Sequence, residues 1–263
     1  LHLCTTDDAA MALHLTHVGT ATLVIEIDGV RLLTDPAFDP PGATYGFGWG
    51  TRSRRLAGPA LPAAALGPID AVLLSHDQHA DNLDGAGRAL LPSIATVITT
   101  RAAARRLGHP GAIGLAPFAA TRLGPQRITA TPARHGPACS RPLVGPVIGF
   151  VVEGPGLAGP LYVSGDTVWF AGVAEVARRW RVDTAVLHLG GVGFGTTGPI
   201  RYTFDAAGAI TAARALAPRV VVPVHYDGWT HFREAPAAAR AAFAAAGLAS
   251  PVAWLTPGAR TAM

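Results

Sequence analysis

The sequence predicts an α/β domain of the α+β kind, in which two β-sheets carry helices on their outer faces. Short apolar runs of strand length alternate with helical segments in the first half of the chain, and the second half repeats that alternation. Of the 263 residues, 49% are hydrophobic and only 14% charged, so a substantial core is expected and extensive disorder is not. No apolar run approaches the roughly 18 residues that cross a bilayer, so no membrane partner is expected.

The first half is predicted to be rich in strands. Asp28-Gly29 separates two apolar runs and is typical of a tight hairpin turn. The segment 51–68 is rich in Pro, Gly and Ala, which predicts an irregular connection or a short helix. The predicted strands are 13–18, 22–27, 30–34, 71–74 and 95–99, and the predicted helices are 84–91, ended by Pro92, and 101–107, closed by Gly108.

The second half continues with strands and longer helices. Asp205 is a good N-cap for one of these helices, and Pro218 lies beyond its end. The predicted strands are 127–131, 147–152, 161–163, 184–189 and 220–224, and the predicted helices are 173–180, 205–216 and 232–245.

Domain organisation and location follow from simple features. Residues 11–263 are predicted to form one domain, and residues 1–10, which precede Met11, a disordered leader or cloning remnant. With only two cysteines, Cys4 and Cys139, a disulfide framework is not expected and the cytoplasm is the predicted location. Cys139 is interpreted as a small buried hydrophobe rather than a metal ligand.

The charge pattern indicates a small-molecule substrate. The formal net charge is +4, and all 21 basic residues are arginines scattered along the chain. A nucleic-acid binder should have a denser basic stripe with interleaved aromatic residues, so no nucleic-acid partner is expected. The sequence is also compatible with assembly into a homo-oligomer.

Four apolar runs end at residues that can bind a metal. They lead into His76, His135, Asp166 and His225, and His79 and Asp81 follow closely after the first of them. Strand ends that face one rim of a sheet can bring such residues together. Imidazole and carboxylate are the ligands of hydrolytic zinc, iron or manganese sites. The predicted cofactor is therefore zinc, as one or two ions, with iron or manganese as alternatives.

The order of short motifs resembles a known family. Thr16-His17-Val18-Gly19-Thr20-Ala21-Thr22, Leu33-Thr34-Asp35-Pro36, Leu74-Ser75-His76-Asp77, Ser164-Gly165-Asp166-Thr167 and Pro223-Val224-His225-Tyr226 occur in that order. The set resembles the metallo-β-lactamase superfamily, in the branch of the L-ascorbate-6-phosphate lactonases and the N-acyl-phosphatidylethanolamine phospholipases D. The resemblance implies an αββα sandwich of two mixed sheets flanked by helices, with metals at one edge. It also implies that Asp166 bridges two metals and that His225 binds the second.

The first motif departs from the superfamily pattern H-x-H-x-D-H. Without a gap, Gln78 replaces the second histidine and Asp81 takes the place of the third. With one inserted residue, His79 becomes the second histidine and Asn82 replaces the third. We prefer the gapped alignment, because it keeps the Leu-Asp that leads into the following helix. Asp81 is then either a ligand or a general base.

The predicted function is hydrolysis of an ester-like bond, a lactone or a phosphodiester, by a metal-bound hydroxide. Besides Asp81, His188 is a candidate catalytic residue, because it ends a strand beside the glycine-rich loop 193–198, which is expected to line the pocket. Asp35 is expected to orient a ligand from behind. The alternatives are a nuclease-type phosphodiesterase and a metal-poor, non-catalytic member that binds a small metabolite.

Overall fold

The computed structural model describes residues 13–263, so the predicted leader, residues 1–10, lies outside the described residues. The strands are β1 (Leu13–Gly19), β2 (Thr22–Ile27), β3 (Val30–Thr34), β4 (Thr44–Gly46), β5 (Arg52–Arg54), β6 (Ala71–Leu73), β7 (Thr96–Thr100), β8 (Ala112–Leu115), β9 (Ala120–Leu123), β10 (Gln126–Pro132), β11 (Ile148–Glu153), β12 (Leu161–Val163), β13 (Thr184–His188), β14 (Val220–Val224) and β15 (Arg260–Ala262). The helices are α1 (Gly85–Leu90), α2 (Arg101–Leu107), α3 (Arg141–Val144), α4 (Ala171–Arg179), α5 (Ala206–Leu216) and α6 (Pro236–Ala245). Short 3-10 turns lie at Ala63–Ala65, Leu91–Ser93 and Gly195–Thr197.

Two mixed sheets form the body of the fold. The first has the strand order β15-β1-β2-β3-β6-β7-β8, and the second β14-β13-β12-β11-β10-β9. In the first sheet β3, β6, β7 and β8 are parallel to one another, and in the second β12, β13 and β14 are parallel. A separate ribbon pairs β4 with β5.

The alternation of side chains along each strand produces the layers. In β2, Leu23 and Ile25 face the core between the two sheets, whereas Val24 faces outward beneath α1 and α2. In β11, Phe150 joins the central core, and Val151 packs on the other face with α4, α5 and α6. Helices therefore cover the outer face of each sheet, which confirms the predicted αββα sandwich.

Every predicted strand and helix is present, some with the predicted bounds and others with shifted ends. The helix predicted over 232–245 begins only at Pro236, which occupies its first turn, where a missing N–H costs nothing. The segment 51–68 contains β5 and a 3-10 turn. Five further strands were not predicted from the sequence, namely β4, β5, β8, β9 and β15. Three of these, β8, β9 and β15, lie at sheet edges, where one face or side meets solvent and the apolar pattern is weak. None of the helices in residues 13–263 has the length and apolarity needed to span a membrane.

A buried ion pair ties the β4–β5 ribbon to the body of the fold. Arg55 is only 1% exposed, and its Nη1 lies 2.5 Å from Asp84 Oδ2. Its Nη2 donates to the carbonyl of Ala37 at 3.0 Å, and its Nε donates to the carbonyl of Ala57 at 3.0 Å. Asp84 also caps α1 by accepting from the Gly87 N–H. The pair therefore connects the ribbon, the loop after β3 and the start of α1.

Replacing Arg55 with Ala leaves the buried Asp84 carboxylate without its cation. We expect the free energy of unfolding to fall by about 3–5 kcal/mol, as for other broken buried pairs. Arg52, an exposed arginine on β5, the strand that Arg55 follows, is the matched control, and Arg52→Ala should change stability by less than about 0.5 kcal/mol. Urea denaturation of the three proteins measures both values, and equal stability of the two variants would contradict the assignment.

Candidate metal centre

Three buried imidazoles converge in a first donor group. His76 follows β6, His79 lies in the turn before α1, and His135 follows β10. His79 Nδ1 lies 3.0 Å from His76 Nε2 and 3.2 Å from His135 Nε2. One ring nitrogen from each residue lies within 4.8 Å of the other two. Three nitrogens at this spacing suit one shared cation of the zinc type.

Two carboxylates and an imidazole form a second donor group beside the first. His225 Nε2 lies 3.2 Å from Asp81 Oδ2 and 3.8 Å from Asp166 Oδ1. The other oxygen of Asp166, Oδ2, lies 4.0 Å from His76 Nε2 in the first group. Asp166 therefore faces both groups with one oxygen each, the arrangement expected of a bridging carboxylate.

Hydrogen bonds from behind hold the imidazoles in place. The Nδ1 atoms of His135 and His225 bond to the carbonyls of Tyr202, at 2.8 Å, and Leu189, at 3.2 Å. A carbonyl can only accept, so these two nitrogens carry hydrogen and leave the Nε2 lone pair facing the group once the ring is neutral. His76 Nδ1 bonds to Ser75 Oγ at 2.9 Å. Such outer contacts are what metal-binding histidines require, so the donor set fits zinc, iron or manganese.

The backbone is strained where it delivers these ligands. His225 has φ 57° and Asp35 has φ 35°, a left-handed conformation that costs a non-glycine residue about 1–3 kcal/mol. Gly165, before Asp166, has φ 59°, and a Cβ there would lie 2.5 Å from the carbonyl oxygen of Ile148. Only glycine fits at that position, which explains the Ser-Gly-Asp sequence. Strain retained at ligand positions is typical of a functional site.

The geometry supports the gapped alignment of the first motif. His79 shares the first group with His76, as the second histidine should, and Asp81 belongs to the second group. Asn82 takes the place of the third histidine. In the amide orientation that satisfies both of its polar atoms, the Asn82 nitrogen donates to Asp81 Oδ1 at 3.2 Å and to Asp166 Oδ2 at 3.3 Å. Asn82 therefore holds the two carboxylates rather than offering a ring nitrogen.

Burial and charge give the two groups different protonation. Burial and the neighbouring His79 lower the pKa of His135 to about 3, and burial likewise lowers the pKa values of His76 and His79. Burial alone would lower the pKa of His225, but Asp166 and Asp81 outweigh it and raise the pKa to about 9. Burial raises the pKa of Asp166 to about 6. In the absence of an ion, the first group is neutral and the second holds a proton on His225.

His188 and Asp35 lie behind the donor groups. His188 is fully buried, its Nδ1 lies 3.2 Å from Ser164 Oγ, and its Nε2 lies 3.5 Å from Asp35 Oδ2. Asp35 Oδ1 also accepts from the Ser75 N–H at 2.7 Å, which fixes the start of the His76 loop. Among the described residues His188 does not line the pocket, so its catalytic role stays a prediction, whereas Asp35 has the orienting position expected for it.

An aromatic pocket opens beside the donor groups, with a volume of about 80 Å³. Phe194 and Thr197 line it, so the glycine-rich loop borders the pocket as expected. The opposite wall was not predicted from the sequence. It is formed by the turn of the β4–β5 ribbon. The lining residues are Phe47, Gly48, Trp49, Thr51, His79, Asp81, His135, Val144, Val192, Phe194, Thr197 and Tyr202.

His231 is a further residue of the site. Its contact with Asp81 was not predicted from the sequence. Its Nε2 lies 3.0 Å from Asp81 Oδ2, and its Nδ1 lies 2.5 Å from Ser53 Oγ. Its ring packs on Phe47 and Phe194 at centroid distances of 4.7 and 5.5 Å. His231 therefore connects the pocket wall to the second donor group. Cys139 is exposed, so its interpretation as a buried hydrophobe was wrong.

Comparisons with known proteins agree with this geometry. A family model described as a beta-lactamase superfamily domain matches residues 30–226. A UPF0173 metal-dependent hydrolase of Caldivirga maquilingensis is 27% identical over 228 residues, covering 85% of this chain and 86% of that protein. A UPF0173 metal-dependent hydrolase of Opitutus terrae is 30% identical over 233 residues, covering 85% and 89%.

The fold also matches a solved structure. Isothiocyanate hydrolase from Delia radicum gut bacteria superposes with a TM-score of 0.81 at 22% identity, covering 95% of this chain and 99% of that one. A likeness at that identity shows the fold alone. The family model and the curated relatives carry the assignment further: this chain belongs to the metallo-β-lactamase superfamily, among the UPF0173 metal-dependent hydrolases.

Proposed function

We propose that this metal-dependent hydrolase cleaves an ester-like bond, a lactone or a phosphodiester, at the inner end of the aromatic pocket. The observation that carries the proposal is the position of the pocket: His79, Asp81 and His135 belong to the donor groups and also form its wall. A bond placed in this pocket would therefore lie against both groups.

The residues divide into two ligand sets. His76, His79 and His135 would hold a first ion, and Asp81, Asp166 and His225 a second, with zinc the expected metal and iron or manganese the alternatives. A divalent ion held by these residues would lower the pKa of bound water to near neutrality and would polarise the bond under attack. Asp81 is also our candidate for accepting a proton during the reaction, because it is the carboxylate that lines the pocket among the described residues.

The pocket favours an uncharged reacting group. Phe47, Phe194 and Tyr202 are among its lining residues, and no arginine or acidic residue other than Asp81 lines it among the described residues. A carboxylic ester or lactone is uncharged, whereas a phosphodiester carries a negative charge that no cationic side chain of this pocket would balance. We therefore place lactones before phosphodiesters, and a nuclease-type phosphodiesterase and a metal-poor binding member as the alternatives.

Metal content tests the ligand sets directly. Elemental mass spectrometry on protein purified without chelators should find about two ions per chain, one for each donor group. His135→Ala should lower this number and Asp166→Ala should remove metal and activity together. His109→Ala and Asp183→Ala, which change residues outside both groups, are the matched controls and should keep the full content. Full activity in Asp166→Ala would contradict the mechanism, and a folded, metal-free parent that resists reconstitution would favour the binding member.

Substrate choice is tested with matched esters. The parent protein should hydrolyse an aromatic lactone or carboxylic ester faster than an aromatic phosphodiester of similar size, because no cationic side chain lines the pocket to bind the second charge-bearing oxygen of the phosphate. Phe194→Ala should raise KM for the lactone more than it lowers kcat, because it removes apolar contact that substrate and transition state share. An aryl isothiocyanate belongs in the same panel, since a protein of similar fold is named for that reaction. Preference for the phosphodiester would contradict the order of substrates.

The proton on His225 predicts a pH dependence of the metal-free protein. The pKa of His225 is about 9 in the fold against an ordinary value of 6.5, so its stabilising contribution is complete below pH 6.5 and is lost as the pH rises through about 9. The free energy of unfolding should therefore fall across this window. His76 and His135 have lowered pKa values and do not titrate there. Metal affinity should rise across the same window, because the ion must displace that proton.

Urea denaturation with a chelator present, repeated between pH 6.5 and 9, measures the stability change. His225→Gln should remove most of the pH slope, and His109→Gln, at a histidine remote from both donor groups, should keep it. The same slope in the parent and in His225→Gln would show that the proton resides elsewhere.

A further inference from the structure

A second and larger cavity lies next to the aromatic pocket. Its volume is about 480 Å³, within the range of small-molecule sites. Four arginines line it, and none of the lining residues in the described part of the chain is acidic. We call this space the arginine cavity and define it by Arg101, Arg105, Arg134 and Arg141.

Three separate segments bring these arginines together. Arg101 and Arg105 are four residues apart on α2, so they share one face of the helix. Arg134 follows β10, and Arg141 begins α3. Because the four are spread over 41 positions of the sequence, their clustering is a property of the fold.

The arginine cavity lacks carboxylates such as those that neutralise some of the other arginines. Arg106, on the same helix, forms an ion pair with Asp77, and Arg219 pairs with Asp183. Within residues 13–263, Arg101, Arg105 and Arg141 form no ion pair. Like charges gathered around one concave space raise the local positive potential, which attracts an anion.

Arg134 is held in position for such an anion. Its Nη2 donates to the carbonyl of Trp169 at 3.2 Å, and its Cζ lies 4.9 Å from the centre of the Phe170 ring. Its Nε is buried and has no hydrogen-bond partner in the described residues. A buried donor without an acceptor is costly, and an anion in the cavity could supply the acceptor.

The arginine cavity and the aromatic pocket share a wall. His135 and Val144 line both spaces, and His135 belongs to the first donor group. The aromatic pocket, at about 80 Å³, holds only a small group, so most of a larger substrate must lie outside it. The arginine cavity adjoins the aromatic pocket at these two residues.

We propose that the arginine cavity binds an anionic group, a phosphate or a carboxylate, carried by the substrate whose ester-like bond lies in the aromatic pocket. The substrate is then a small ester with a neutral reacting end and an anionic far end. The assignment of the anion to a substrate rests on the proposed function. Binding of the anion to the cavity can be measured without any hydrolysis.

Calorimetry on the metal-loaded protein tests the site, with phenyl phosphate and phenylacetate as probes. Arg134→Gln and Arg141→Gln should each weaken binding of the preferred probe by about tenfold, the loss expected for one charge-assisted hydrogen bond. Arg122→Gln, at an exposed arginine on β9 outside the cavity, is the matched control and should bind as the parent does. The tighter of the two probes identifies the anion.

The alternatives predict other results. A probe held by the metal alone would bind equally to the parent and to both cavity variants, which would overturn the proposal, as would a parent that binds neither probe. Single-stranded RNA that binds more tightly than phenyl phosphate, and is lost in the same variants, would overturn the small-molecule assignment. Unchanged metal content in each variant verifies that the fold is intact. Anion binding without hydrolysis of any ester would contradict the proposed function and leave the cavity assignment standing.

Discussion

The site depends on one buried carboxylate placed between two sets of imidazoles. Asp166 directs Oδ2 toward His76 and Oδ1 toward His225. His76 follows a strand of the first sheet, and Asp166 and His225 follow strands of the second, so these contacts join the edges of the two sheets. A carboxylate buried alone would cost several kcal/mol, and its position is therefore tied to the groups that face it.

Charge balance explains why the two donor groups differ. The first consists of neutral imidazoles and needs no counter-charge. The second holds Asp81 and Asp166 close together, and the proton on His225 offsets part of their negative charge. A divalent ion bound there would offset the same negative charge. In the second group the metal would therefore take the place of the proton on His225.

The sequence predicted the candidate metal ligands that lie just after buried strands. His225 comes directly after a buried parallel strand, and His76 and Asp166 lie three residues beyond the ends of two others, and such ends meet at one rim. The same reasoning could not find Phe47 or Arg141, because Phe47 lies in the turn between β4 and β5 and Arg141 begins the four-residue helix α3, and neither segment is long enough to show a periodic pattern.

Other features were missed because their signal is three-dimensional. Arg55 reads as one member of a surface-like arginine cluster, yet it is buried against Asp84. The edge strands β8, β9 and β15 are short and only partly buried, so their apolar pattern is weak. His231 was one of several polar residues after β14, and only its distance to Asp81 distinguishes it.

The exposed thiol of Cys139 gives the loop between β10 and β11 a practical use. Its neighbours Ala138 and Ser140 line the arginine cavity, and it is the only cysteine within residues 13–263. An environment-sensitive dye attached there, with Cys4 replaced by Ser, would lie beside two residues that line that cavity. The natural cysteine thus offers an attachment point for a fluorescent label. Such a label would report binding of an anion in the arginine cavity, without a measurement of ester turnover.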